Sequence, residues 1–155
     1  MEAEKNNLSL NVLVNQIIRQ HIEWHSIASK IGEIPIQKSI ISMLLERIDD
    51  SDIIKIARLA ANQKFKTIIL MLNNQFTVCA WIDALKSWLT IAGFPYKHEQ
   101  NKNQHLFLIH HDMGKKFSLF QKEVLETVFK MFKIQPEFEL SDNDTVFKFN
   151  IVDSN

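Results

Sequence analysis

The spacing of apolar residues changes near Gln63, and this change limits the folds open to the chain. Before it, apolar residues recur every three or four positions, which is typical of amphipathic helices. After it, short apolar runs alternate with polar turns, which is typical of strands and helices in a mixed domain. The sequence therefore predicts an α+β protein, with a helical module at 1–62 and a second domain at 63–155.

The first part is predicted to contain three helices, over 8–31, 36–48 and 53–62. Gly32 ends the first helix, because glycine readily adopts the left-handed conformation that follows a helix. Pro35 opens the second helix, since its fixed φ suits a helix start. The acidic stretch 49–52 then caps the third helix.

From residue 65 the predicted order is strand, helix, strand, strand, helix, strand, followed by one extra strand. The strands are placed at 65–72, 96–100, 104–111, 136–140 and 145–152, and the first helix at 76–92. Ser118 and Gln121 match a capping box, so the second helix begins after Ser118. Right-handed crossovers turn this order into a ferredoxin-like sandwich, βαββαβ plus one strand. Its outer sheet face is left for the N-terminal helices, for dimerisation or for a ligand.

Polar residues gather where the strand 104–111 meets the next helix. Alternation along the strand places His110 and Asp112 on one face, and a turn at 101–103 adds His98 to that face. Backbone N–H groups and lysines at a helix N-terminus favour an anion. The candidate ligand- or anion-binding residues are therefore His98, His110, Asp112, Gly114, Lys115 and Lys116. A solvated turn is the alternative interpretation, and no metal or cofactor is predicted.

Charge and motifs narrow the classes of function. Eighteen basic and eighteen acidic side chains cancel, so no overall field draws the chain to nucleic acid or to an anionic membrane. No nucleophile motif is present, so we expect no catalysis. The single cysteine fits a reducing compartment, and neither a membrane span nor a signal peptide is recognisable. A cytoplasmic location is predicted.

The segment from Asn7 to Ile18 resembles the second helix of ribbon-helix-helix DNA-binding proteins. In that family a Ser-Leu-Asn type cap precedes branched apolar residues that pack across a dimer interface. The resemblance implies a dimer interface at Leu10, Leu13, Val14, Ile17 and Ile18. That family reads DNA with a β-ribbon ahead of its first helix, and only residues 1–6 precede the matched segment here. The resemblance therefore implies no DNA-contact residue.

Together these patterns predict a non-catalytic, cytoplasmic regulatory protein that forms a homodimer and is associated with transcription. Two alternatives stay open. One is a domain that senses a small molecule, an anion or a metal at the strand-helix junction, and the other is an assembly scaffold. The predicted partners are a second copy of the chain, DNA, and a small ligand or anion, with no membrane partner.

Overall fold

The computed structural model describes residues 9–20, 22, 34–73 and 75–151. Its elements, in chain order, are α1 (Leu10–Gln20), α2 (Lys38–Leu45), α3 (Asp50–Asn73), α4 (Val78–Ile91), β1 (Tyr96–Asn101), β2 (Gln104–His110), α5 (Lys115–Met131), β3 (Glu137–Leu140) and β4 (Asp144–Asn150). The protein is therefore α+β, as predicted. Residues 21 and 23–32, which include most of the second half of the predicted first helix and Gly32, lie outside the described residues.

Helix α3 includes the segment 65–72, so the strand predicted there is wrong. The helix buries residues at every fourth position, namely Ile53, Ala57, Ala61 and Ile69, with Phe65 half-buried between them. This spacing places all five on one helical face. A short apolar run fits a strand or a buried helix equally well, and here the unbroken helix before it decides the outcome. The predicted boundary between 62 and 63 also falls inside this helix, and the division into two domains stays a prediction.

The sheet is antiparallel throughout, with the strand order β1-β2-β4-β3. Its two hairpins, β1-β2 and β3-β4, confirm the four strands predicted after residue 95. Without a strand at 65–72, the strand order and the number of helices differ from the ferredoxin-like prediction. The coarser prediction, helices beside a mainly antiparallel sheet, is confirmed.

The core lies between the sheet and the helices. Phe107 from β2 and Phe147 and Phe149 from β4 are buried on the inner sheet face, as their alternation along the strands predicts. Trp81 of α4 packs edge-on to Phe129 of α5 and to Phe149, and the Phe129 ring is tilted against Phe149. Helix α3 packs in turn against α5 and α4. The sheet, α4 with α5, and α3 therefore form successive layers.

The outer sheet face carries charged pairs around three apolar residues of the central strands, Leu106, Leu108 and Val146. Lys148 Nζ lies 2.9 Å from Glu137 Oε2 on the neighbouring strand, and Lys97 pairs with Glu99 on β1. Leu108 is the most exposed apolar residue of β2. Mixed charges of this kind are typical of a solvated face. Within the described residues, no helix is long and apolar enough to cross a lipid bilayer.

Helix α5 begins at Lys115, with Gly114 as its N-cap, so the cap predicted at Ser118 is wrong. Ser118 lies inside the helix, fully buried, and its hydroxyl donates to the Ser141 carbonyl at 2.7 Å. The capping pattern is local, whereas the helix start is set by the loop 111–114, in which Gly114 has a φ of 83°. Glycine adopts that conformation without strain, which lets the chain turn into the helix four residues earlier.

Candidate functional site

The loop 111–114, between β2 and α5, is held by the turn between β3 and β4. The backbone N–H groups of His111 and Asp112 donate to the Asn143 carbonyl at 2.9 and 3.4 Å. The N–H of Gly114 donates to Asn143 Oδ1 at 3.3 Å. Asp112 also has a positive φ, 57°, which an aspartate tolerates better than most side chains. The predicted junction is therefore an ordered turn anchored by one asparagine.

His98 lies on the opposite sheet face from His110, so its predicted placement is wrong. It stands directly opposite Phe107, and its Nε2 lies 3.0 Å from Nδ1 of His105. The prediction assumed a three-residue turn, whereas the two strands are joined by 102–103 alone. A change of one residue in register moves every side chain of a strand to the other face.

The other predicted ligand residues lie in or beside the loop 111–114. His110 is exposed, and its Nδ1 lies 2.8 Å from Asp144 Oδ1. Hydrogen bonds from His110 and Ser141 hold the pKa of Asp144 below its usual range. Asp112 is also exposed. Among the residues that the structure describes, no three His, Cys, Asp or Glu side chains are placed to hold a metal ion.

The N-terminus of α5 is approached by the chain that follows α2. Lys116 Nζ donates to the carbonyl oxygens of Glu46 and Ile48. The Glu46 carboxylate also lies next to Gly114, since a Cβ placed on this glycine would be 3.6 Å from Glu46 Oε1. The N-terminus of α5 thus lies against other groups of the protein. The same holds for Lys116, one of the two lysines predicted to bind an anion. Lys115 is exposed, and anion binding at this point stays a prediction.

The buried pair His111 and Ser118 looks like the base and nucleophile of a hydrolase, but the hydrogen bond between them runs in the opposite direction. His111 Nδ1 accepts from the Met113 N–H at 3.1 Å, so the proton of the neutral ring is on Nε2. Nε2 therefore donates to Ser118 Oγ at 2.9 Å. Burial lowers the pKa of His111 to about 4, which keeps the ring neutral. A general base needs an acceptor nitrogen facing the hydroxyl, so this pair acts as a structural link.

Helices α3, α4 and α5 line a cavity of about 210 Å³ that is partly open to solvent and that no pattern in the sequence singles out. Its walls include the aromatic rings of Phe65, Trp81, Trp88, Phe117 and Phe120. All other lining residues are aliphatic except Gln121, and no charged side chain of the described chain lines it. Apolar cavities with a few polar groups are the usual form of a small-molecule site.

Two buried polar groups in the cavity walls have no hydrogen-bond partner among the described residues, and their polar atoms are inaccessible to water. Gln121 is 5% exposed, and both its Nε2 and its Oε1 are unpaired. The indole N–H of Trp81, which is fully buried, is unpaired as well. An unpaired buried polar group costs about 1–3 kcal/mol, so such groups usually have a bound partner. The signal in the sequence was a glutamine one helical turn from both Phe117 and Leu125 on an apolar stripe.

The predicted dimer residues lie on α1, and most of them are exposed. Leu10, Ile17 and Ile18 are at least half exposed, at 56%, 54% and 50%, and Val14 is 43% exposed. Leu13 is half-buried. An isolated helix of this length is marginal in water, because its stability in proteins comes mainly from packing of its apolar face. Packing of the apolar side of α1 against another surface would therefore stabilise this helix.

The chain matches no protein-family model and no curated protein.

Proposed function

We propose that the protein is a non-catalytic regulatory protein that forms a homodimer through helix α1. The observation that carries this proposal is the exposed apolar stripe of α1, in which four branched apolar side chains are between 43% and 56% exposed. Burying apolar surface stabilises an association by about 25 cal/mol per Å² removed from water. The implied resemblance to a ribbon-helix-helix dimer core supports the same residues.

A second copy of α1 suits this stripe better than a charged partner does. Arg19 is the one ionisable residue in the helix sequence, so pairing two copies brings little like charge together. A two-fold symmetric contact needs a self-complementary surface, and an all-apolar stripe meets that condition. The outer sheet face is a weaker candidate, because the Lys148–Glu137 and Lys97–Glu99 pairs border its few apolar residues.

Association with transcription and a cytoplasmic location belong to the same proposal. The resemblance of residues 7–18 to a DNA-binding family and the single cysteine support them. Four lysines of the sheet and of α5 contribute little positive potential, because Lys97, Lys122, Lys130 and Lys148 are paired with glutamates. Binding to DNA phosphates weakens as the salt concentration rises. DNA binding is therefore expected in a gel shift at about 50 mM salt and should weaken at higher salt. Dimerisation without DNA binding would favour the scaffold alternative.

The test of the dimer compares two charge-adding substitutions on one helix. Ile17→Asp places a carboxylate on the apolar stripe, whereas Asn15→Asp adds the same charge at an exposed polar position outside it. We expect light scattering at tens of micromolar protein to show a dimer for the wild type and for Asn15→Asp, and a monomer for Ile17→Asp. A monomeric wild type, or a dimer that survives Ile17→Asp, would refute the proposal.

A further inference from the structure

We infer that a second copy of this chain covers the outer side of helix α2, so that α1 and α2 of both copies form one interface. The surface in question consists of Ile36, Ile40, Met43 and Leu44, and we refer to it as the α2 face. The inference rests on the dimer proposed above and names a second surface that this dimer uses. It involves neither the strand-helix junction nor the outer sheet face.

Helix α2 is apolar on two opposite sides. Ile41 and Leu45 on one side pack against the core. Ile40, Met43 and Leu44 share the other side, because they are three and four positions apart, and they are 42%, 60% and 55% exposed. None of the eight described residues of this helix is buried. A helix that is apolar all round is normally covered on all sides, so a further surface is expected over the α2 face.

Helix α2 is anchored to the body of the protein, which makes its outer side a fixed surface. Ser42 Oγ donates to the Met113 carbonyl at 2.9 Å, just before α5. Lys38 Nζ donates to the Gly93 carbonyl at 2.8 Å, just after α4. A surface that is ordered before association avoids the entropy cost of ordering it on binding. The α2 face is therefore well suited to form part of an interface.

The size of a stable interface requires more than helix α1. Specific protein interfaces take about 20–30 residues from each partner. Helix α1 has 11 residues, and its apolar stripe occupies only one of its sides. Among the described residues after α1, exposed large apolar side chains are most frequent at 34–44, where there are five. Helix α1 and residues 34–47 together supply about the required number.

The charges beside the α2 face favour a second copy over a different partner. Ile40, Met43 and Leu44 line an open groove together with Glu46 and Arg47, which are both exposed. A two-fold contact is self-complementary, so the acid of one copy can lie near the base of the other. A partner with charges of a single sign would instead place a like charge against one of the two, which disfavours binding.

The test makes the same substitution at two exposed leucines. Leu44→Asp lies on the α2 face, and Leu108→Asp on the outer sheet face is the matched control, since the two leucines are 55% and 44% exposed. Sedimentation equilibrium of the full chain measures the dissociation constant of the dimer. We expect Leu44→Asp to raise it by about 100-fold or more, because a two-fold dimer buries the added carboxylate twice. Leu108→Asp should leave it unchanged.

A second variant keeps the test valid if Leu44→Asp does not fold. Leu44→Lys places a cation near the C-terminus of α2, where the helix dipole favours it, and circular dichroism checks that the helices are retained. It is expected to weaken the dimer in the same way. A dissociation constant that stays unchanged in both Leu44 variants, or that rises only in Leu108→Asp, would refute the inference.

Thiol labelling gives a readout that does not require the dimer to be disrupted. Met43→Cys places a thiol on the α2 face, while Cys79, which is exposed on α4, is the control in the same chain. Labelling at position 43 should slow at least about tenfold between protein concentrations well below and well above the dissociation constant, because only the monomer exposes it. Labelling of Cys79 should stay constant. Equal rates at position 43 in the monomer and the dimer would refute the inference.

Comparison with Ile17→Asp separates this inference from the dimer proposal. If Ile17→Asp gives a monomer and both Leu44 variants stay dimeric with the wild-type affinity, the dimer through α1 holds and the role of the α2 face is refuted. If only the Leu44 variants weaken the dimer, the role of α1 is refuted and that of the α2 face holds. A monomeric wild type would refute both.

Discussion

Helices α1 and α5 have the same kind of sequence pattern and opposite surroundings. Both place apolar residues three and four positions apart, yet α5 buries nine residues while the branched side chains of α1 are half exposed. The difference arises because α5 has the sheet on one side and α3 on the other, whereas α1 has no comparable neighbour within the described residues. Apolar spacing thus specifies which residues share a face and leaves open what covers that face.

Truncation of one apolar side chain on each helix gives the most direct test of this difference in burial. Phe129→Ala on α5 removes a fully buried ring that contacts Trp81 and Phe149, and we expect a loss of about 4 kcal/mol in the free energy of unfolding. Ile17→Ala on α1 is expected to change it by less than about 0.5 kcal/mol at low protein concentration. Urea unfolding measures both, and equal losses would mean that α1 packs on the body of the protein.

A smaller effect is expected where α3 meets α5. Arg58 lies 2.8 Å from Glu123, a carboxylate that is 4% exposed. Arg58→Ala should lower the free energy of unfolding by about 2 kcal/mol, because Glu123 keeps only the Lys122 contact. Lys55→Ala, which breaks an exposed pair with Asp52 on the same helix, is the control, with an expected change below about 0.5 kcal/mol. Similar effects of the two variants would show that the α3-α5 contact is as loose as the surface.

The smallest predicted effect is a pH dependence of the free energy of unfolding, caused by His111, which is buried just before α5. The pKa of His111 is lowered by burial from 6.5 to about 4 in the folded protein. Between these values the unfolded chain binds more protons, so stability is complete above pH 6.5 and falls as the pH drops toward 4. His111 should account for a loss of about 1 kcal/mol between about pH 7 and pH 5.5.

Substitution of one histidine at a time isolates this contribution. His111→Gln should reduce the slope of unfolding free energy against pH, while His110→Gln, at an exposed position, should not. Part of the slope should remain in both variants, because burial also lowers the pKa of His98 to about 4. An unchanged slope in His111→Gln would show that His111 is as accessible to protons in the folded state as in the unfolded one.

Local patterns were sufficient for the existence of the four strands and for helices α2 and α4. Alternation along β2 correctly places His105, Phe107 and Ile109 together on the buried face. Helix α4 also follows the prediction of a helix over 76–92, since it spans Val78–Ile91. Thr77 caps it through the Ala80 N–H at 3.2 Å, and Gly93 follows its end with a positive φ. These features depend on residues that are close in sequence, so short-range chemistry determines them.

The candidate site was predicted only in part, because its geometry is set by distant contacts. The face of His98 depends on whether the turn after β1 contains two or three residues, and Asn101 is able to pair or to turn. Gln121 was interpreted as the partner of Ser118 in a cap, since the sequence does not show that α5 begins earlier. The cavity is formed by three helices separated along the chain, so no local pattern reveals its volume.

The sequence by itself determined which segments are amphipathic, that two hairpins form, and which residues of β2 and β4 face the core. Tertiary structure decided that 65–72 is helical, that Gln121 lines a cavity, and that the apolar side of α1 is left exposed. The physical reason is the distance along the chain over which each effect acts. Hydrophobic periodicity, helix caps and turn residues depend on a few neighbouring positions, whereas burial and unpaired polar atoms depend on which distant surfaces pack together.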